Sequence, residues 1–276
     1  MGINYNGCYL SLERPLVMGI VNATPDSFYA NSRRTGSVEV LRSIGKMLTD
    51  GASIIDIGAY SSRPSAEDVS AAEEIRRLDA VLADVVRTFP DAMLSVDTFR
   101  AEVARHVVEN YGVGIINDIS GCILDDEMME TIAGLKVAYV LMHMRATPRD
   151  MQNYCHYNHL LSDVIDFLQK KADALHRSGV NDVIIDPGFG FAKTMEQNYE
   201  MMQHLDVFSV LNMPLLVGVS RKSMIYNLLG TSPEDALNGT TALHMHALHK
   251  GAKILRVHDV KEAVETIRIF EALNKY

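Results

Sequence analysis

The sequence predicts an α/β protein that folds as a single (β/α)8 TIM barrel. Eight short runs rich in Ile, Val and Leu recur along the chain, and near-continuous apolar strands are typical of a parallel sheet buried on both faces. Segments with helical periodicity alternate with these runs, and no G-x-G-x-x-G motif follows the first run, which disfavours an open, doubly wound sheet. The 276 residues suit a barrel, which typically needs about 250. No Pro- or Ser-rich linker divides them, so we predict one domain over residues 1–276.

The predicted strands are the apolar runs at residues 16–22, 53–58, 93–97, 113–120, 137–144, 183–188, 215–220 and 253–259. The clearest predicted helix covers residues 71–89, where Leu78, Val81 and Leu82 share one face and charged residues occupy the other. Residues 159–179 repeat this pattern and end at Gly179, a natural C-cap. A last helix is predicted over residues 260–276.

Composition disfavours several classes of protein. The formal net charge of −9 disfavours nucleic-acid binding, which needs basic patches. The three cysteines, Cys8, Cys122 and Cys155, are odd in number and scattered, so neither a disulfide framework nor a zinc site is indicated. No signal peptide is evident, and no segment approaches the ~20 apolar residues that span a bilayer. These features predict a cytoplasmic protein with no membrane or nucleic-acid partner.

Polar residues cluster at the ends of the predicted strands, where barrels build their active sites. Some have a local explanation: Asp97 suits a helix N-cap, Asp186 suits the turn at Pro187-Gly188, and His143 suits a packed, hydrogen-bonded strand residue. Unrelated caps would not all fall on strand ends, however, so we predict that the polar residues converge on one mouth. They are Asn22, Ser61, Ser62, Arg63, Asp97, Asn117, Asp118, His143, Asp186, Ser220, Arg221, Lys222, Arg256 and His258.

One part of this set suits a nitrogen-rich heterocycle. Asp97, Asn117 and Asp186 would offer two carboxylates and an amide to a planar ring that presents several N–H groups, and buried carboxylates need such partners. Lys222 would balance their charge and bond a ring carbonyl or nitrogen.

Another part suits an oxyanion or a phosphate. Arg256 and His258 lie at alternate positions of one strand and can therefore point the same way. With Arg63 across the mouth they form a candidate anion site, and Asn22 offers an oxygen for a bound metal. A heterocycle joined to phosphate fits nucleotides, flavins and pterins equally well.

The motifs at these strand ends resemble those of the dihydropteroate synthase family, in order and over nearly the whole chain. They are MGIVNATPDSF (18–28), IIDIGAYSSRP (54–64), SVDTFR (95–100), INDISG (116–121), LMHM (141–144), DPGFGFAKTMEQN (186–198), GVSRKSM (218–224) and LRVHDV (255–260). The resemblance implies an enzyme of folate biosynthesis that transfers an alkyl group other than methyl. It joins 6-hydroxymethyl-7,8-dihydropterin diphosphate to p-aminobenzoate with Mg²⁺ and is a target of sulfonamides.

The resemblance also assigns roles to the candidate residues. The pterin would be held by Asp97, Asn117, Asp186 and Lys222, and the catalytic residues would be Asp97, Asp186 and Lys222. The diphosphate would be held by Asn22, Arg63, Arg256 and His258, with Asn22 also serving the Mg²⁺. The p-aminobenzoate pocket would be framed by Ser62, Pro64, Phe191 and Ser220. A homodimer that packs through barrel helices is expected.

Two loops depart from the commoner family patterns. The first has Ala30 where DSFSDGG is usual, and the second reads GAYSSRP where GGESTRP is usual, which introduces Tyr60. A non-catalytic pterin-binding paralogue is therefore one alternative. A methyltetrahydrofolate-dependent methyltransferase of the same barrel family is another, although the anion site and the lack of a corrinoid domain disfavour it.

Overall fold

Parallel strands form the centre of the molecule. The computed structural model describes residues 1–23, 33–60, 69–147 and 150–275. Within these ranges two short strands pair as an antiparallel hairpin, β1 (Gly2–Tyr5) with β2 (Cys8–Ser11). Eight further strands form one parallel sheet: β3 (Leu16–Asn22), β4 (Ile54–Gly58), β5 (Leu94–Asp97), β6 (Ile115–Asp118), β7 (Ala138–Met142), β8 (Val183–Asp186), β9 (Leu216–Val217) and β10 (Ile254–Val257).

The parallel sheet closes almost completely into a barrel. Its strands pair in the order β8-β7-β6-β5-β4-β3-β10-β9, and an isolated parallel bridge between Ile185 and Leu215 joins the two edges. The predicted (β/α)8 barrel is therefore confirmed. All its strands except β3 are shorter than the apolar runs that predicted them, and some of these runs include buried residues outside the strand. Val113 and Ile119, for example, are buried on either side of β6.

Helices surround the barrel and connect its strands. In the described ranges they are α1 (Arg33–Asp50), α2 (Ala71–Thr88), α3 (Ala101–Tyr111), α4 (Met128–Leu135), α5 (Leu160–Arg177), α6 (Met195–Gln203), α7 (Ser223–Leu229), α8 (Leu237–His249) and α9 (Val260–Leu273). Helix α2 begins where the Ser70 side chain accepts a hydrogen bond from the Glu73 amide, and it buries Leu78, Val81 and Leu82 as its periodicity predicts. Gly179, with φ of 96°, lies one residue beyond the C-cap of α5. No helix in the described ranges is both long and apolar enough to cross a membrane.

The N-terminal hairpin, which the sequence analysis missed, covers the bottom of the barrel. Its turn uses Asn6 (φ 49°) and Gly7 (φ 84°), the positive-φ pair that a type I′ hairpin requires. Ile3 and Leu12 pack against apolar side chains from seven barrel strands: Met18, Ile54, Ile115, Ala138, Val140, Ile184, Leu216 and Ile254. The Tyr5 hydroxyl accepts a hydrogen bond of 2.7 Å from the Leu94 amide and fixes the hairpin to β5.

The inward-pointing side chains continue along the strands from the hairpin end to the opposite end of the barrel. Side chains two residues apart share one face of a strand, so the residues above Ile54, Ile115, Ile184 and Ile254 also point inward. Those residues are Asp56, Asn117, Asp186 and Arg256. On these four strands the barrel interior therefore changes from apolar to polar within one step, and the polar layer lies at the carboxyl ends.

Candidate active site

Four neighbouring strands, β3 to β6, bring the first group of polar residues together. Asn22 is paired in register with Gly58, Gly58 with Asp97, and Asp97 with Asn117. The missing side chain at Gly58 leaves room beside Asp97, since a Cβ there would lie only 3.3 Å from the Asp97 Cβ. Asn22 ends β3 and is exposed, whereas Asn117 is buried. The predicted residues of these strands thus line one side of a common mouth.

Arg256 crosses the mouth and joins two carboxylates. Its Nε lies 2.7 Å from Oδ2 of Asp56, and its Nη2 lies 2.6 Å from Oδ2 of Asp97. Asn117 donates from Nδ2 to the same Asp56 oxygen at 3.0 Å. Strand β10 is separated from β4 by β3, so these contacts pass through the barrel interior. Asp56, which the sequence analysis did not identify, is thus the centre of the polar layer.

Asp97 is held in an unusual electrostatic environment. Burial raises its pKa to about 7; the positive charge of Arg256 opposes this, and the negative charges of Asp56, Glu74 and Asp118 add to it. Asp97 therefore changes its charge near neutral pH, which distinguishes it from an ordinary surface carboxylate and marks it as a functional candidate.

The other side of the mouth carries Asp186 and Lys222. Oδ1 of Asp186 accepts a hydrogen bond of 2.8 Å from the Gly188 amide, so the carboxylate also has the turn role that its sequence position suggested. Lys222 donates from Nζ to the Phe189 carbonyl at 2.6 Å and lies 4.8 Å from the centre of the Phe191 ring. Burial lowers the pKa of Lys222 to about 8, and the charge of Asp186 opposes that shift. The amine, the carboxylate and the aromatic ring thus form one continuous wall.

Lys193, a second residue that the sequence analysis missed, supports this wall from behind. Its buried Nζ donates to the carbonyls of Gly188 (3.0 Å) and Phe191 (3.1 Å) and lies 3.0 Å from Nδ1 of His143. Burial lowers the pKa of Lys193 to about 7 and that of His143 to about 2. The prediction that His143 is a packed, hydrogen-bonded residue is confirmed, because its ring also meets Phe167 edge-on at 5.0 Å.

Ser220 and His258 form the third part of the mouth. The Ser220 hydroxyl accepts a hydrogen bond from the His258 amide and lies 3.2 Å from the imidazole Nδ1. The surrounding protein displaces enough solvent to lower the pKa of His258 to about 4, and the charge of Arg256 adds to this shift. The imidazole is therefore neutral at pH 7 and able to donate one N–H at the exposed edge of the mouth.

Two residues of the predicted cluster point elsewhere. Arg221, with φ of 53°, directs its guanidinium at both Asp259 oxygens (2.8 and 2.9 Å) and at the Pro233 carbonyl (2.8 Å). Asp118 faces outward and accepts from Tyr139 Oη (2.5 Å) and from the amides of Ser120 (2.6 Å) and Cys122 (2.9 Å). Arg221 therefore holds two loops together, and Asp118 closes a turn.

Several predicted residues lie outside the described ranges: Ala30, Ser61, Ser62, Arg63 and Pro64. Tyr60 lies just before one of the gaps. Its ring meets Phe99 edge-on at 5.1 Å, and the Arg100 guanidinium lies 5.4 Å from its centre.

The donor set of the mouth fits magnesium better than a softer metal. The described residues contain no group of three His, Cys, Asp or Glu side chains arranged to hold a metal. A single amide oxygen at Asn22 suits Mg²⁺, which keeps several waters and is usually bound through one or two protein oxygens together with substrate phosphates.

Comparison with known proteins agrees with this geometry. A family model described as pterin binding enzyme matches residues 18–258. The dihydropteroate synthase of Haemophilus influenzae is 38% identical over 274 residues, which are 99% of this chain and 98% of that protein. The chain belongs to the dihydropteroate synthase family of pterin-binding enzymes.

Solved structures of dihydropteroate synthases share the whole barrel. The Yersinia pestis enzyme in complex with a sulfonamide drug superposes with a TM-score of 0.92 at 38% identity, with 100% of both chains covered. The Xanthomonas albilineans enzyme with 4-aminobenzoic acid has a TM-score of 0.91 at 35% identity and covers 100% of this chain and 98% of its own. Family membership therefore rests on the entire chain and not on an isolated motif.

Proposed function

We propose that this protein condenses 6-hydroxymethyl-7,8-dihydropterin diphosphate with p-aminobenzoate, releasing diphosphate and 7,8-dihydropteroate. The observation that carries the proposal is the polar wall inside the barrel. Asp97 and Asn117 are adjacent in register, and Asp186 and Lys222 complete the wall in a chain whose full-length relatives are dihydropteroate synthases.

The pterin binds against this wall. Carboxylates at Asp97 and Asp186 accept hydrogen bonds from the ring N–H and amino groups, and Asn117 adds an amide. Lys222 remains largely protonated at pH 7, since its pKa is about 8, and it donates to a ring carbonyl or nitrogen. The heterocycle supplies the partners that such buried polar groups require.

The diphosphate lies toward the outer edge of the mouth. Arg256 presents the one guanidinium nitrogen that makes no hydrogen bond within the described ranges, Nη1, and the neutral His258 adds an N–H donor. Asn22 would hold the Mg²⁺ that accompanies the diphosphate, and the metal would supply positive charge that offsets the charge of the leaving group. Arg63, outside the described residues, is assigned to the same subsite by its motif.

The p-aminobenzoate lies beside the Phe191 ring. The Lys222 ammonium above that ring gives the pocket an aromatic face with a positive charge at its edge, which suits an aromatic carboxylate. Ser220 is assigned here by its motif, although its hydroxyl is bonded to His258. Ser62 and Pro64 complete the assignment from outside the described ranges.

Bond cleavage precedes bond formation in the mechanism that this wall favours. When the C–O bond to diphosphate breaks, positive charge develops on the pterin methylene and spreads into the ring. The fixed carboxylates of Asp97 and Asp186 stabilise that charge without reorganising. The aromatic amine then attacks the methylene from its pocket and loses one proton to the departing diphosphate, and no protein nucleophile is needed.

The protein is further proposed to act in the cytoplasm as a homodimer. All three cysteines lie in the described ranges and are free thiols. Apolar side chains that are more than half exposed lie at Leu228 and Leu229 on α7 and at Ile269 and Leu273 on α9. Such exposed apolar positions on the barrel's outer helices are consistent with a helix-mediated interface, and sedimentation equilibrium would measure the mass of the assembly.

The deciding experiment is an assay of diphosphate release. The purified protein is mixed with the pterin diphosphate and Mg²⁺, with and without p-aminobenzoate, and dihydropteroate is identified by its mass. Product equal to the diphosphate released is the expected result. Tight pterin binding with neither diphosphate release nor product would favour the non-catalytic paralogue instead, and Ala30 and Tyr60 would be the first residues to revert to the family pattern.

A further inference from the structure

Asp56 is the most deeply buried charged group in the mouth. It lies in the middle of β4, its side chain is completely buried, and its Oδ2 accepts from both Arg256 Nε and Asn117 Nδ2. Its Oδ1 has no hydrogen-bond partner within the described ranges. A buried carboxylate with one unsatisfied oxygen is costly, which points to a role for Asp56 beyond packing.

The geometry of Arg256 shows what that role is. A guanidinium is a rigid plane, and two contacts on different nitrogens fix both its position and its orientation. Asp56 holds Nε from the barrel interior, and Asp97 holds Nη2 from the rim. In the described part of the chain, only Nη1 then makes no hydrogen bond.

Asp56 is also the more permanent of the two anchors. Asp97 is partly exposed, with 23% of its side chain accessible, whereas Asp56 has none. A pterin that bonds to Asp97 competes with Nη2 for that carboxylate. Asp56 remains enclosed, so Arg256 keeps its interior anchor when substrate arrives.

We propose that Asp56 is a positioning residue that holds Arg256 from inside the barrel, so that the guanidinium faces the diphosphate while Asp97 is released to the pterin. This inference rests on the proposed function, because it deepens the role of Arg256 in the diphosphate subsite. It assigns Asp56 no contact with substrate.

The proposal is tested by whether Asp56→Asn raises or lowers the affinity of the protein for inorganic diphosphate. Asp56→Asn removes a negative charge near an anion site, so simple electrostatics predicts tighter binding of inorganic diphosphate. Weakening of the anchor, because an uncharged amide oxygen holds the Arg256 Nε–H less strongly than a carboxylate does, predicts the opposite: affinity for diphosphate with Mg²⁺, measured by calorimetry, should fall about 10- to 100-fold, the range seen when a supporting partner of a site residue is altered. The KM for p-aminobenzoate should not change.

Asp118→Asn is the matched control. It removes the same charge from another fully buried carboxylate at the end of β6, but Asp118 faces outward toward Tyr139. Diphosphate affinity in this variant should stay level or rise slightly.

A double-mutant cycle separates positioning from general damage. Arg256→Lys keeps the charge but lacks the Nε that Asp56 holds. If Asp56 acts through Arg256, then Asp56→Asn should have almost no further effect on diphosphate affinity in the Arg256→Lys background. Equal effects in both backgrounds, or tighter diphosphate binding in the single variant, would overturn the proposal.

A measurement on the unmodified protein covers the case in which Asp56→Asn fails to fold. The NMR signal of the Arg256 Nε–H should be resolved and slow to exchange without any ligand, and a signal averaged with solvent would refute the anchoring. Neither this signal nor the diphosphate titration uses turnover. Failure of the dihydropteroate assay would therefore overturn the proposed function without deciding the role of Asp56.

Discussion

The two ends of the barrel are built on the same strands but use opposite chemistry. At the hairpin end, Ile54, Ile184 and Ile254 point into an apolar interior. Two residues further along the same strands the inward positions hold Asp56, Asp186 and Arg256. One end supplies folding free energy through burial. The other uses that burial to shift pKa values and to fix charges, so stability and chemistry are separated by one step on each of these three strands.

The largest expected effect is the loss of activity when a charged group at the mouth is removed. Asp97→Asn should lower kcat by a factor on the order of 10²–10³, the range typical for loss of one preorganised electrostatic group, while the circular dichroism spectrum and Tm stay close to those of the parent. The matched control is Asp182→Asn at the opposite end, where Oδ1 only accepts a hydrogen bond from the Asn4 amide at 2.7 Å. Equal kcat values for the two variants would show that the mouth is no more important for catalysis than the hairpin end.

A cavity at the hairpin end should have the complementary effect. Leu12 is completely buried against the apolar cluster, so Leu12→Ala should lower the free energy of unfolding by about 2–5 kcal/mol. Denaturant unfolding measures this change, and kcat should be unaltered at temperatures where the variant is fully folded. A loss of turnover well below the Tm would mean that the two ends are coupled.

The pH dependence of activity should be set by two groups at the mouth, Asp97 and Lys222. Asp97 must be ionised and Lys222 protonated, and their pKa values are about 7 and about 8. Protonating Asp97 below pH 7 removes an acceptor, and deprotonating Lys222 above pH 8 removes a donor. We therefore expect a bell-shaped kcat/KM profile that falls about tenfold per pH unit outside this window. The acid limb should disappear in Asp97→Asn, and its persistence would assign it to another group.

The smallest effect is expected one step below Asp186. Ile184→Val removes one methylene from the apolar cluster and should cost about 0.5–1.5 kcal/mol of stability. Steady-state assays should show no change in kcat or in either KM. A change in the KM for the pterin diphosphate would place the boundary between the two ends lower on β8 than the structure does.

Much of this division could be read from the sequence, because barrel strands are short apolar runs and the polar residues follow their ends. The hairpin was missed, although its Asn6-Gly7 pair is a turn signal. Asp56 carried a signal as well, since a charged residue inside the run SIIDIG stands at an inward position. A strand that is buried on both faces does not show from its sequence which positions point inward, so Asp56 could not be placed in the mouth.

Other features had no sequence signal. Lys193 folds back beneath its own loop to the Gly188 and Phe191 carbonyls, and nothing in the spacing shows that return. Arg221 and Lys222 are adjacent cations, yet only Lys222 reaches the mouth, because the left-handed backbone at Arg221 turns its side chain to Asp259. Asn117 and Asp118 are adjacent on one strand, so their side chains point to opposite faces. The sequence does not show which of the two points into the barrel. That the chain forms one domain stays a prediction.

The barrel is least strongly hydrogen-bonded along the line where β8 meets β9. Strand β9 has only two residues, and in the described ranges β8 and β9 share a single bridge at Ile185 and Leu215 rather than a ladder. Amide protons along this line should exchange with deuterium sooner than those of the β3–β4 ladder, because less must open to expose them. Asp186 ends one side of the line and Lys222 follows the other. A pterin held by both would bridge the opening, so its binding should slow deuterium uptake on strands that the ligand itself does not cover.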